Sequence, residues 1–136
     1  MENKKSNRAV GDEFEQSFCE ILAEHGFWCH RLTQDSAGQP ADVIAVKDQL
    51  AYLIDCKDCE HRGFYLRRIE ENQVNAMDLW ADCGNKQGWF ALRIPSGEIF
   101  MFQLVIMMDF RARQAGLSFD EIRKWGIPLR EWVMWK

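Results

Sequence analysis

The chain has 136 residues, 47% hydrophobic and 28% charged, with a net charge of −4. That profile suits one globular domain with a real core. It argues against a non-specific nucleic-acid coat protein, though not against an enzyme that meets DNA through a local surface. The longest apolar runs fall far short of the roughly 20 residues that span a bilayer, and the opening MENKKSNR carries no apolar signal segment. The expectation is a cytoplasmic protein, with no membrane association and with its five cysteines reduced.

Residues 1–8 read as a mobile arm. Val10, Phe14, Phe18, Ile21 and Leu22 recur at helical spacing, and Gly26 stops that helix. FWCHRL (27–32) reads as a strand and TQDSAGQP (33–40) as a polar loop. DVIAV and LAYLIDCK are two further strands joined at KDQ. Helical spacing returns over 66–82 through Leu66, Ile69, Gln73, Ala76, Met77 and Trp80. GWFALRI (88–94) and IFMFQL (99–104) form a hairpin around PSGE, and the tail over 105–136 is mostly helical, with Ser118 and Glu121 as a capping box. The order predicts an α/β sandwich with a central mixed five-stranded sheet, flanked by helices and extended by a helical tail.

Several polar residues fall where this pattern wants apolar ones. Asp55 and Lys57 are two apart on a strand, so they share a face, with Ile54 and Cys56 on the other. Asp42 heads the preceding strand. Glu15 borders the apolar stripe of the first helix, and Gln73 lies inside that of the second. Buried carboxylates and amides cost free energy unless partnered. A divalent cation with hard-oxygen preference, Mg²⁺ or Mn²⁺, would partner the three acids. Lys57 beside it would position a water or neutralise developing charge, which describes metal-assisted phosphodiester hydrolysis. Taken singly, each residue has an ordinary explanation: a turn Asp, a surface Asp–Lys pair, an exposed helix Glu. The five together fit one pattern.

Pro40, Ala41 and Asp42, followed by IDCK at 54–57, resemble the PD-(D/E)xK nuclease signature, with one residue inserted between Pro and Asp. VGDEFEQSFCEILAEHGFWCHRL resembles the opening of archaeal-type Holliday-junction resolvases, and the later elements follow in that family's order over about residues 9–104. The resemblance implies a restriction-endonuclease-like core over 9–104, with 105–136 as a helical extension of the same domain. It implies metal binding by Glu15, Asp42, Asp55 and the Cys56 carbonyl, catalysis by Lys57, and roles for Gln73 and for Ser36 in the preceding loop. It also implies a homodimer cutting branched double-stranded DNA by paired nicks. Family members tend to be basic and this chain is acidic, so the DNA surface must be local. Lys4, Lys5, Arg8, Arg31, Lys47, Arg62, Arg67 and Arg68 are its candidates. The alternatives are a nuclease of the same fold acting on flaps, nicks or duplex, and a non-catalytic DNA- or protein-binding module.

Cys56, Cys59 and His61 form a single CxxC-type cluster without a second clean pair, a poor zinc site. Trp125, Trp132 and Trp135 enrich the tail. They either cover a sheet face or form a dimer interface.

Overall fold

The computed structural model describes residues 7–32 and 41–135, with only the backbone of Asn7 and Arg8. The first helix, α1 (Asn7–Glu24), buries Phe14, Phe18 and Leu22 along one stripe. It starts before the first apolar position and takes in two residues read as part of the arm. Gly26, at φ 87°, turns the chain back into β1 (Trp28–Arg31).

The next two strands, β2 (Val43–Lys47) and β3 (Leu50–Asp58), are joined by Asp48 and Gln49, both left-handed at φ 52° and 68°. Lys47 pairs with Leu50 across this turn, a two-residue connection of the primed kind that matches strand twist. A short β4 (Phe64–Tyr65) and a 3₁₀ turn (Leu66–Arg68) lead to α2 (Glu71–Asp82). The sheet resumes with β5 (Trp89–Arg93) and β6 (Ile99–Gln103). The tail follows as α3 (Leu104–Arg113), β7 (Gly116–Leu117), α4 (Phe119–Trp125), β8 (Ile127–Pro128) and α5 (Leu129–Trp132).

The main sheet has the order β1-β2-β3-β5-β6-β8, parallel only between β3 and β5. The five expected strands all form, in a mixed sheet. A sixth, β8, adds to the edge through Phe100–Pro128 and Met101–Ile127, and β4 pairs with β7 in a separate two-stranded ribbon. Pro128 is tolerated there because an edge strand can spare a donor.

Strand alternation divides the core. Val43, Ala45, Ile54, Trp89, Ala91 and Met101 face α1 together with Trp132 of α5. Leu53, Phe90, Leu92, Phe100 and Phe102 face α2, α3 and α4 through Met77, Met107 and Ile122. The tail therefore contributes to both layers. Trp132 is core, whereas Trp125 and Trp135 stay exposed.

The helix expected over 66–82 is shorter. Leu66–Arg68 is a 3₁₀ turn, Ile69 is extended, and Glu70 caps α2 in an extended conformation (φ −88°, ψ 151°).

Candidate active site

The parallel neighbours β3 and β5 place the C-terminal half of β3 at the centre of the sheet. Asp55 and Lys57 project from it on the α2 side. Asp55 is 1% exposed, one of two buried polar residues among those described; the other is Gln73. Gln73 sits in the first turn of α2 and does two things. Its Oε1 accepts from the Glu70 amide at 3.0 Å, and its Nε2 donates to Asp55 Oδ1 at 3.2 Å. One amide thus caps the helix and fixes the carboxylate.

Asp42 is pinned just before β2. Its amide donates to the Ile54 carbonyl at 3.1 Å, and its carbonyl accepts from the Leu32 amide at 2.8 Å. Its Oδ2 accepts from the Cys56 amide at 2.7 Å. This brings the Asp42 carboxylate against that of Asp55. Burial, then the Asp42 charge, push the Asp55 carboxyl well above the usual carboxylate range, with Lys57 opposing. Lys57 Nζ lies 3.1 Å from Asp55 Oδ2. That contact is an ion pair, and the buried oxygen accepts no hydrogen bond among the described residues.

Glu15 approaches from α1 on the other face of β3. Its Oε1 lies 3.8 Å from Arg31 Nη2, which also donates to Asp12 Oδ1 at 3.2 Å. Glu15, Asp42 and Asp55 together surround Cys56. Burial first, then those three charges, push its thiol well up. Among the described residues, no three of His, Cys, Asp and Glu converge into a ready-made metal cage. The arrangement is two adjacent carboxylates, one with an unsatisfied buried oxygen, and a third acid held nearby by an arginine. Two crowded carboxylates, one with a buried oxygen that accepts no hydrogen bond, fit a hard divalent cation, which would relieve the repulsion and coordinate that oxygen.

The basic candidates are dispersed. Arg68 Nη1 donates to the Asp58 carbonyl at 2.9 Å, immediately past Lys57, and its guanidinium lies over Phe64. Arg67 lies over the Tyr65 ring and Arg62 is exposed. Arg31 is engaged by Asp12 and Glu15. Lys47 lies over Phe27 at the opposite end of the β2–β3 hairpin from Asp55. Ser36, Lys4, Lys5 and the side chain of Arg8 lie outside the described residues.

One contact escaped the sequence reading. Arg93 Nε donates to Asp58 Oδ1 at 2.6 Å, and its guanidinium stacks 4.6 Å from the Phe14 ring, beside Glu15. It ties β5, β3 and α1 together next to the acids. The partners are 35 positions apart in sequence, so no local spacing signals it.

The CxxC cluster does not assemble. Cys59 is buried on the α2 side, its thiol pushed up to about 12 chiefly by burial, whereas Cys56 packs toward α1. All five cysteines are free. Among the described residues, no helix is long and apolar enough to cross a membrane.

Comparison with solved structures supports the fold. Hjc from Archaeoglobus fulgidus, described as a Holliday junction resolvase from an archaeal hyperthermophile, superposes with a TM-score of 0.68 at 18% identity, covering 90% of this chain and 96% of that one. The bacterial homing endonuclease I-Ssp6803I superposes at 0.56 with 13% identity, covering 90% of each chain. A search of curated proteins finds no match. The profile of the archaeal Holliday junction resolvase (Hjc) family matches residues 6–135, nearly the whole length, and the chain belongs to that family.

Proposed function

We propose that this protein is a Mg²⁺- or Mn²⁺-dependent endonuclease that resolves four-way DNA junctions, working as a homodimer that nicks paired strands. The observation that carries the reading is the Asp42–Asp55 carboxylate pair, with its unsatisfied buried oxygen and Lys57 3.1 Å away, in a chain of the resolvase family. Asp42, Asp55 and the Cys56 carbonyl would hold the cation, with Glu15 contributing from α1. When bound, the cation polarises a phosphoryl oxygen and lowers the pKa of a bound water.

The chain's own groups do the rest. Gln73 holds the Asp55 carboxylate in one orientation through Oδ1, leaving Oδ2 for the site. Lys57 orients the attacking water in line with the scissile phosphorus–oxygen bond and offsets charge that develops on the phosphate. Burial of Asp55 beneath α2 keeps bulk water from screening these charges. Two copies related by a two-fold axis would match a substrate with the same symmetry. This reading puts the enzyme in the cytoplasm with its DNA.

Asp55→Asn tests the site. The expected result is retained junction binding in a gel-shift assay with cleavage reduced by at least about a thousandfold, the scale of losing a main electrostatic contributor. A wild-type chain that binds the junction but cuts nothing with either metal would leave only the binding module. Equal cutting by wild type and variant would move the chemistry elsewhere.

A further inference from the structure

Three cysteines, Cys19, Cys29 and Cys56, pack against the core cluster beneath α1, and the proposed chemistry uses none of their thiols. Two of them form a rung. β1 runs back along α1, so that Arg31 reaches Asp12 and Glu15. Two residues earlier on the same face of β1, Cys29 meets Cys19, one helical turn after Glu15. The steps match: one turn of helix rises about 5.4 Å and two strand residues about 6.6 Å. The geometry that joins Arg31 to Glu15 therefore sets thiol against thiol, close enough for each to shift the other's titration. Both cysteines are partly exposed, so a small oxidant can reach them.

We propose that Cys19 and Cys29 are a modification site: a thiol pair that a hydroperoxide closes into a disulfide, tying α1 to β1 one turn from Glu15. Cys19 thiolate attacks the peroxide oxygen, breaking the O–O bond to give a sulfenic acid, with the other oxygen leaving as water. Cys29 sulfur then attacks the sulfenic sulfur, and the S–O bond breaks to release a second water. The sum is two thiols plus one hydrogen peroxide giving one disulfide and two waters.

The roles are unequal. The neighbouring Cys29 thiol, aided by the Arg31 charge and opposed by burial and by the Glu15 and Glu20 carboxylates, holds the Cys19 thiol below its ordinary range and suits it as the attacking group. The same contact, with burial, holds Cys29 protonated as the resolving thiol. Cys56 and Cys59 are raised by burial and are poor competitors. Cys83 is exposed at the end of α2.

The test treats the intact protein with equimolar hydrogen peroxide, then denatures it and alkylates what remains. Intact mass should fall from five alkylated thiols to three, and proteolysis should yield a cross-linked pair of peptides holding Cys19 and Cys29. In Cys29→Ser, the bond should vanish and Cys19 should be trapped by dimedone as the sulfenic acid. Five alkylated thiols after peroxide, a bond that uses Cys56, Cys59 or Cys83 instead, or dimedone on Cys83 in place of Cys19 would overturn the assignment. The readout is covalent and independent of nuclease activity, so it stands or falls apart from the proposed function.

Discussion

Asp55 is the residue on which the proposed chemistry turns, and its burial makes it a liability without a cation. Its carboxyl is held above its ordinary range by burial and by Asp42, with Lys57 opposing. A raised folded-state pKa means stability that is full below the unfolded value of about 3.9 and is lost as pH rises through the folded one. The metal-free protein should therefore lose thermal stability as pH climbs out of the acid range. Asp55→Asn, which keeps the oxygen that accepts from Gln73, should flatten that loss and raise Tm at pH 7, as thermal unfolding in chelator would show. A lower Tm for the variant would mean that Lys57 outweighs burial and Asp42. Gln73 offers a second check. Gln73→Leu leaves the buried Asp55 Oδ1 and the Glu70 amide without partners and should cost roughly 1–3 kcal/mol, measured by urea unfolding. Gln73→Glu keeps the acceptor for the Glu70 amide but turns a donor into a third negative charge, so cleavage should fall further than stability.

At the scale of elements, β3 and α2 do the positioning, and both show where sequence reading succeeds and fails. Asp55 and Lys57 were legible because period-two alternation fixes their shared face whatever the partners are. Gln73 was legible because it interrupts an apolar stripe. The start of α2 was misread because Leu66 and Ile69 are three apart, a spacing that the 3₁₀ turn actually present satisfies as well as an α-helix does. β4, β7 and β8 have two residues each, too few for any alternation to show. Arg31 reads in sequence as one more surface cation; only the fold reveals that Asp12 and Glu15 hold it. The capping box of α4 was readable from Ser118 and Glu121 alone. The Ser118 hydroxyl accepts from the Glu121 amide at 3.1 Å, and Ser118→Ala should cost about 1 kcal/mol of stability while leaving cleavage unchanged. Gly63 is at φ 136°, and a Cβ there would overlap the Leu117 carbonyl oxygen across the β4–β7 ribbon. Gly63→Ala should therefore destabilise by more, about 2–4 kcal/mol, visible as a lower urea midpoint.

For the whole molecule, the sheet separates two cores and puts the acids where both layers meet it: Asp55 on the α2 side, and Glu15 on the α1 side with the Cys56 side chain. The tail closes both layers, through Ile122 on one and Trp132 on the other. Net charge of −4 means that any DNA surface would be local, and among the basic candidates Arg68 is bonded to the Asp58 carbonyl, one residue past Lys57. The central claim is that this strand-end site cuts branched DNA with a metal ion. The most direct measurement is cleavage of a synthetic four-way junction beside a matched linear duplex, each with Mg²⁺, with Mn²⁺ and with chelator. Paired, symmetric nicks in the junction alone, abolished by chelator, are the predicted result; equal cutting of the linear duplex, or cutting that survives the chelator, would contradict it.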